Sequence, residues 1–325
     1  MTSFSNEFDV TRNVRTTDPA AVSREVRRIF LDLYPDASPA LLDRAFSDAT
    51  LLFEGRFPGI HACDTPYHNL QHTLDVTLAM ARLADGYERA RNAGMDKIDA
   101  ESFQLGVVTA LFHDIGYLRE AQDRHARNGA EYTLTHVSRG ARFLQGYLPG
   151  LGLGSVRDVA ARLIHFTGYE IPVGDIQLPH RKFRVLGNLL GSADIISQMS
   201  DRCYLEKCRD RLYPEFVAGG IARWRDAHGR EQVLYASGED LVMKTPGFYG
   251  RATRRLEEEL AGSYRVAERH FGGQNLYLEE LDKNIRFAKE VTASGDLSVL
   301  RRVPPSAVRE EPQSTAAPPS TDPAA

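Results

Sequence analysis

Cysteine is scarce. The 325 residues hold three, Cys63, Cys203 and Cys208, and no two of them form a Cys-x-x-Cys pair. That argues against a disulfide framework and a cysteine zinc site, and a reducing compartment fits better, so a cytoplasmic location is expected. No apolar run approaches the ~18 residues that a membrane span needs. The longest, such as Gly106–Phe112, have the length of a core helix. The first residues lack the apolar stretch of a secretory signal. An excess of one charge sign is also missing: Lys+Arg 40 against Asp+Glu 44 gives a formal net charge of -4. This argues against a protein that coats nucleic acid. Long stretches of strand-like alternation are absent, and no internal repeat is visible, which leaves an all-α class.

Helical periodicity is abundant. Val22, Val26, Ile29 and Leu33 share one face, and Leu41, Leu42 and Phe46 open a second helix. Leu70, Leu74 and Leu78 mark a third, reaching about Arg91. Asp99 caps a fourth through Phe103, Val107 and Leu111, stopping near Gly116. Further helices are expected from Ala130 to Tyr147, through Val159–Ile164, and over Phe183–Met199, Phe248–Phe271 and Leu276–Val291. A short strand is weakly signalled at Gln232–Tyr235. The expected organisation is a loose polar arm over 1–18, one all-α body over 19–302, and a disordered tail over 303–325. That tail holds six of the 16 prolines. Trp224 reads as a packed aromatic, Cys203 and Cys208 as half-buried thiols. Lys244–Tyr249 reads as a turn in preference to a lid.

The histidines carry the chemistry. In Tyr67-His68-Asn69-Leu70-Gln71-His72, the two imidazoles are four apart and share a helix face. Both could grip a metal, or His72 could bind while His68, one turn earlier, donates protons. Asn69 after His68 excludes the zinc-peptidase pattern, because an amide cannot act as general base. His113-Asp114 closes a very apolar helix, and Asp194 sits among Leu189, Leu190, Ile195 and Ile196. A carboxylate buried there needs a cation, a set of donors or a proton. His136 and His165 are polar residues in apolar helical stripes of the same kind. Together His72, His113, Asp114, His136, His165 and Asp194 lie on five successive candidate helices. Convergence would make a site for two divalent transition metals sharing one carboxylate. Mixed nitrogen and oxygen donors suit Mn, Fe, Ni, Co or Zn.

The order His, His-Asp, Asp resembles the HD superfamily of metal-dependent phosphohydrolases. The Tyr67–Val76 stretch is similar to the opening motif of cyclic-nucleotide phosphodiesterases, and Gly191-Ser192-Ala193-Asp194-Ile195 to their late metal-binding aspartate segment. His136 with Gly140, and His165 with Gly168-Tyr169, resemble the extra ligand pair of the binuclear branch, including the HD-GYP cyclic-dinucleotide phosphodiesterases. The likeness spans about Pro66 to Phe216. It implies an HD-type helical bundle with flanking helices. It puts His72, His113, Asp114 and Asp194 on one metal, with His136 and His165 on a second and Asp114 bridging. It makes His68 the general acid and Asn69 a supporting group. The chain departs from the pattern after the His-Asp pair, where it reads Ile115-Gly116-Tyr117-Leu118.

The activity implied is hydrolysis of a phosphate ester, nucleotide-like in character and including cyclic nucleotides. Arg124, Arg127, Arg139 and Lys182 are candidates for phosphate binding. Small-molecule phosphate esters or nucleotides are the expected partners, and a homodimer is left open. Two competing readings share the ligand set: a di-iron HD-type oxygenase, and a metal-containing sensor without turnover. An acid at His68 favours hydrolysis, since an oxygenase has no leaving alkoxide to protonate.

Overall fold

The computed structural model describes residues 6–305, and they are mostly helical. The body begins with α1 (Pro19–Leu33), α2 (Ala40–Phe53), α3 (Leu70–Ala90) and α4 (Ala100–Leu111). It continues with α5 (His136–Tyr147), α6 (Arg157–Leu163) and α7 (Arg181–Met199). Side-chain caps set several of these starts. Asp18, Asn69 and Asp99 accept from backbone N–H groups of the first turns of α1, α3 and α4, as their residue types favour.

Helix α3 is the axis of the molecule. It is apolar on nearly every side, with Leu74, Val76, Leu78 and Met80 buried alongside Thr73 and Thr77. An all-round apolar helix must be covered on every side. Here α7, α4 and α1 do so. The two long helices α3 and α7 thus lie together at the centre, and each carries a polar residue predicted for the metal site.

After α7 come short elements: α8 (Tyr204–Lys207), a π-helical turn (Cys208–Leu212) and α9 (Tyr213–Ala218). A small antiparallel hairpin follows, β1 (Arg223–Arg225) with β2 (Glu231–Val233), and then α10 (Gly238–Met243) and α11 (Thr245–Arg254). The single helix expected over Phe248–Phe271 is broken. α11 passes into a π-helical turn (Arg255–Glu259), and the chain reverses at Ala261 and Gly262, both with positive φ. It resumes as α12 (Ala267–His270) and α13 (Leu276–Ser294). The helix expected from Ala130 also starts later. Gly129–Tyr132 is a separate 3-10 turn closed by an Asn128/Glu131 capping box, so His136 becomes the first residue of α5.

Trp224 is not a packed aromatic: it lies on β1 and is 46% exposed. Cys203 and Cys208 are fully rather than half buried, and all three cysteines are free thiols. Among the described residues no helix is long and apolar enough to cross a membrane.

The expected loose arm is tied down from residue 6 onward. Asp9 pairs with Arg82 of α3 at 2.5 Å, and their side chains are 4% and 1% exposed. Val14 and Thr16 are buried beside them. A buried cation demands an anion, and the arm supplies it. Residues 1–5 lie outside the described residues, as does the tail from 306. The described start of that tail is held by two contacts: Asn6 Nδ2 donates to Val303 O (2.9 Å), and Arg211 donates to Pro305 O.

Breaking the Asp9–Arg82 pair should cost stability. Asp9→Ala strands a buried guanidinium, and the expected loss is about 3–5 kcal/mol, read from denaturant unfolding. A loss below about 1 kcal/mol would contradict a buried pair. Burial alone would push the Asp9 carboxyl up, but the Arg82 charge and backbone donors hold it below its ordinary value. The stabilisation is therefore complete above the ordinary carboxylate range and disappears as pH falls through the depressed value.

Candidate metal centre

Four predicted residues converge where α3, α4 and α7 meet. His72 Nε2 lies 3.4 Å from Asp114 Oδ2 and 3.5 Å from Asp194 Oδ1. His113 Nε2 lies 3.1 Å from Asp114 Oδ2 and 4.0 Å from Asp194 Oδ1. The buried His72, His113 and Asp194 offer ligand atoms all within 4.8 Å of one another, a group that could hold a metal ion. Asp114 faces the same point.

Backbone packing brings them there. Asn69 caps α3 by accepting from the His72 backbone N–H (3.2 Å) and donates its amide to Pro66 O (2.8 Å). Its side chain is thereby committed to positioning His72. After α4 the chain turns tightly through Ile115–Tyr117, where Gly116 lies directly against the His136 carbonyl of α5, leaving no room for a Cβ. That close approach sets His136 beside the His-Asp pair. Asp114 Oδ1, the oxygen turned away from His72 and His113, is 3.7 Å from His136 Nε2.

Tautomers are set by the backbone. His113 Nδ1 lies 2.8 Å from Ala110 O, and His136 Nδ1 lies 2.7 Å from Thr133 O. A carbonyl only accepts, so each Nδ1 carries a proton, and the neutral ring would turn the Nε2 lone pair toward the cluster, the arrangement a metal-binding histidine uses.

The chemistry fits a cation. His113 Nε2 and Asp114 Oδ2 are buried without a hydrogen-bond partner, although they face each other. Buried polar atoms left unpaired are costly. A divalent ion between them would satisfy both. The same crowding shows in their titration. Burial opposes charge on both groups, but the Asp114 carboxylate outweighs it at His113, pushing that imidazole up to about 9. Conversely, burial would raise Asp114, yet His113, His68 and His72 hold it well below the carboxylate range. Burial lowers His136.

His68 stands apart from this shell but opens on the same cleft. Its Nδ1 lies 2.5 Å from Glu215 Oε2 on α9. A carboxylate only accepts, so Nδ1–H donates and Nε2 remains for other work. Glu215 Oε1 also accepts the backbone N–H groups of Tyr67 (2.5 Å) and His68 (3.2 Å), and the Glu215 side chain is 1% exposed. Burial works against a charged His68, but Glu215 prevails and raises it above its ordinary value. Tyr117 stacks on both neighbouring imidazoles, 4.5 Å from the His68 ring and 4.4 Å from the His136 ring.

Glu215 was not singled out in the sequence. An acid in the first turn of a short helix after Pro214 reads as a helix start, and nothing local links it to a histidine 147 positions earlier. Tyr117 was visible only as a departure from the family pattern.

Three expected participants make no contact with Asp114 or Asp194 among the described residues. His165 sits in the 3-10 turn Ile164–Phe166 with its Nδ1 buried and without a partner. Among the described residues no carboxylate lies within ion-pair distance of it, in contrast to His72, His113 and His136. Arg139 is committed to the turn after Asp114: its Nε donates to Gly116 O (2.8 Å), Nη2 to Leu118 O (3.0 Å), and its guanidinium covers the Tyr132 ring. Lys182 pairs with Asp99 (3.2 Å) at the start of α4. Neither lines the cleft, and nor do Arg124 and Arg127. Lys244–Tyr249 is more than a turn, since Lys244, Thr245 and Phe248 form part of the cleft wall. The cleft measures about 700 Å³.

This chain matches no family model, no curated protein and no solved structure.

Proposed function

We propose that this protein is a metal-dependent hydrolase of phosphate esters, built on an HD-type helical bundle. The observation that carries the reading is a division of labour in one cleft. His72, His113, Asp114 and Asp194 crowd one point, while His68, braced by Glu215, opens on the same cleft without joining them.

In this reading the four side chains would hold one divalent transition ion, and Asp114 Oδ1 with His136 Nε2 would offer a second, sparser position. Bound divalent ions supply Lewis acidity, which generates a nucleophile from water and neutralises phosphoryl oxygens. The chain supplies the rest. The Asp114 and Asp194 carboxylates place negative charge where cations must sit. His68 Nε2 gives its proton to the leaving oxygen as the P–O bond breaks, and the Glu215 carboxylate stabilises the imidazolium before transfer. Tyr117 stacks on the His68 ring and fixes its plane.

The test is metal analysis with an optical spectrum, followed by a phosphate-ester screen. The expected result is bound transition metal, phosphate release from esters, loss of turnover on chelation and recovery on adding metal. Oxygen uptake without phosphate release would overturn this reading in favour of an oxygenase. Bound metal with neither activity would leave a sensor.

A further inference from the structure

The metal shell accounts for only part of the cleft wall. At about 700 Å³ the cleft is in the size range of sites for whole organic ligands, roughly 300–1,000 Å³. A phosphoryl group alone would leave most of it empty. Two stacked aromatic pairs line it: Tyr204 with Phe248 (6.4 Å, 26° between planes) and Phe216 with Tyr235 (5.8 Å, 22°). Such walls suit a flat or apolar body.

Four Lys and Arg residues also line the cleft, and two of them are already engaged. Lys244 Nζ donates to Leu234 O (2.7 Å) and Asp240 Oδ2 (2.8 Å). Arg255 is buried, donates to Phe166 O (2.9 Å) and Gly168 O (2.6 Å), and lies under the Tyr169 ring. Arg251 and Arg254 differ. They line the same cleft and are exposed, and neither guanidinium has a hydrogen-bond or ion-pair partner among the described residues. Spaced three apart on α11, they share a helix face. The acids nearby do not cancel them. Glu170 accepts from the Val137 and Ser138 N–H groups at the start of α5, and Glu259 lies toward Arg255. Just beyond them α11 gives way to a π-helical turn, a distortion frequent at functional sites.

From this wall we infer that the substrate is a phosphate ester with an apolar, ring-bearing body and a second anionic group, and that Arg251 and Arg254 hold that second group. The inference rests on the hydrolase reading for the scissile phosphate. The second anion is read from the arginines alone. A carboxylate or a further phosphate has the required chemistry, because a guanidinium pairs with either through two parallel N–H donors.

The test uses metal-loaded protein and benzylphosphonates, which resist hydrolysis, carrying para chains of graded length. Each chain ends in a carboxylate or in its methyl ester. The matching phenyl phosphates report turnover. Binding is measured by calorimetry. At the length that reaches α11 the carboxylate should bind about tenfold more tightly than the ester. In Arg251→Glu/Arg254→Glu that advantage should vanish, with metal content unchanged. Arg251→Gln/Arg254→Gln should erase it too, without introducing a charge that could disturb the helix. Equal binding of carboxylate and ester at every length overturns the inference, as does an advantage that survives in both variants. Turnover of the phosphates without a carboxylate preference leaves the hydrolase reading standing and removes this one. A carboxylate preference without turnover removes the hydrolase reading, and with it the phosphate-ester substrate, and keeps only an anion site at Arg251 and Arg254.

Discussion

Asp114→Ala is expected to abolish turnover and strip the centre of metal. The carboxylate serves both sides of the site. Its Oδ2 faces His72 and His113, and its Oδ1 faces His136. Alanine removes both oxygens and the negative charge that offsets a cation in a buried place. The fall in metal affinity should exceed the roughly 100-fold upper end for losing a residue that merely supports a ligand. Elemental analysis of purified protein measures it, and circular dichroism checks that the helices persist. His165→Ala is the paired control. Its ring approaches no carboxylate within ion-pair distance among the described residues, unlike those of His72, His113 and His136, so metal at the His72, His113, Asp114 and Asp194 position should be retained. Equal metal loss in the two variants would show that His165 belongs to the shell and that the centre is organised differently.

His68→Ala should behave in the opposite manner, keeping its metal and losing its rate. The ring makes its polar contact with Glu215 and is stacked on Tyr117, so removal leaves the ligand cluster intact. If His68 protonates the leaving oxygen, alkyl phosphate esters should slow by roughly 10²–10⁴-fold, the usual range for positioned acid catalysis. Nitrophenyl esters should slow far less, because nitrophenolate leaves with little help. Glu215→Gln should follow the same pattern more weakly: the amide can still hold the ring but no longer stabilises the imidazolium. Equal slowing of both ester classes would make His68 a binding or structural residue. Loss of metal would make it a ligand.

Most of the candidate ligand cluster could be read from sequence because each member is a local anomaly. His72, His113, Asp114 and Asp194 are polar residues in helical stripes that are otherwise apolar, and burial forces each to find a partner. Helix periodicity puts them on buried faces, and four anomalies on three core helices leave few ways to satisfy them except together. The caps at Asn69 and Asp99 were legible for the same reason: an N-cap is a bond between residues two or three apart.

The rest required distant segments to meet, and no local pattern records that. Glu215 reaches His68 across 147 positions. Arg139 reads as a free surface cation until the turn after Asp114 offers it two carbonyls. The arm reads as loose because its polar composition says nothing of a guanidinium buried on α3. Arg251 and Arg254 become cleft residues only through the packing of α11 in the folded chain, where they join the same cleft wall as His68 and Asp194. By itself the sequence determined the helices, their buried faces and the residues able to hold a cation, since these follow from spacing along the chain and the cost of burying polar groups. The tertiary structure alone decided which carboxylate braces which histidine, that His165 pairs with none of them and which cations remain free, because such pairings depend on how whole helices pack.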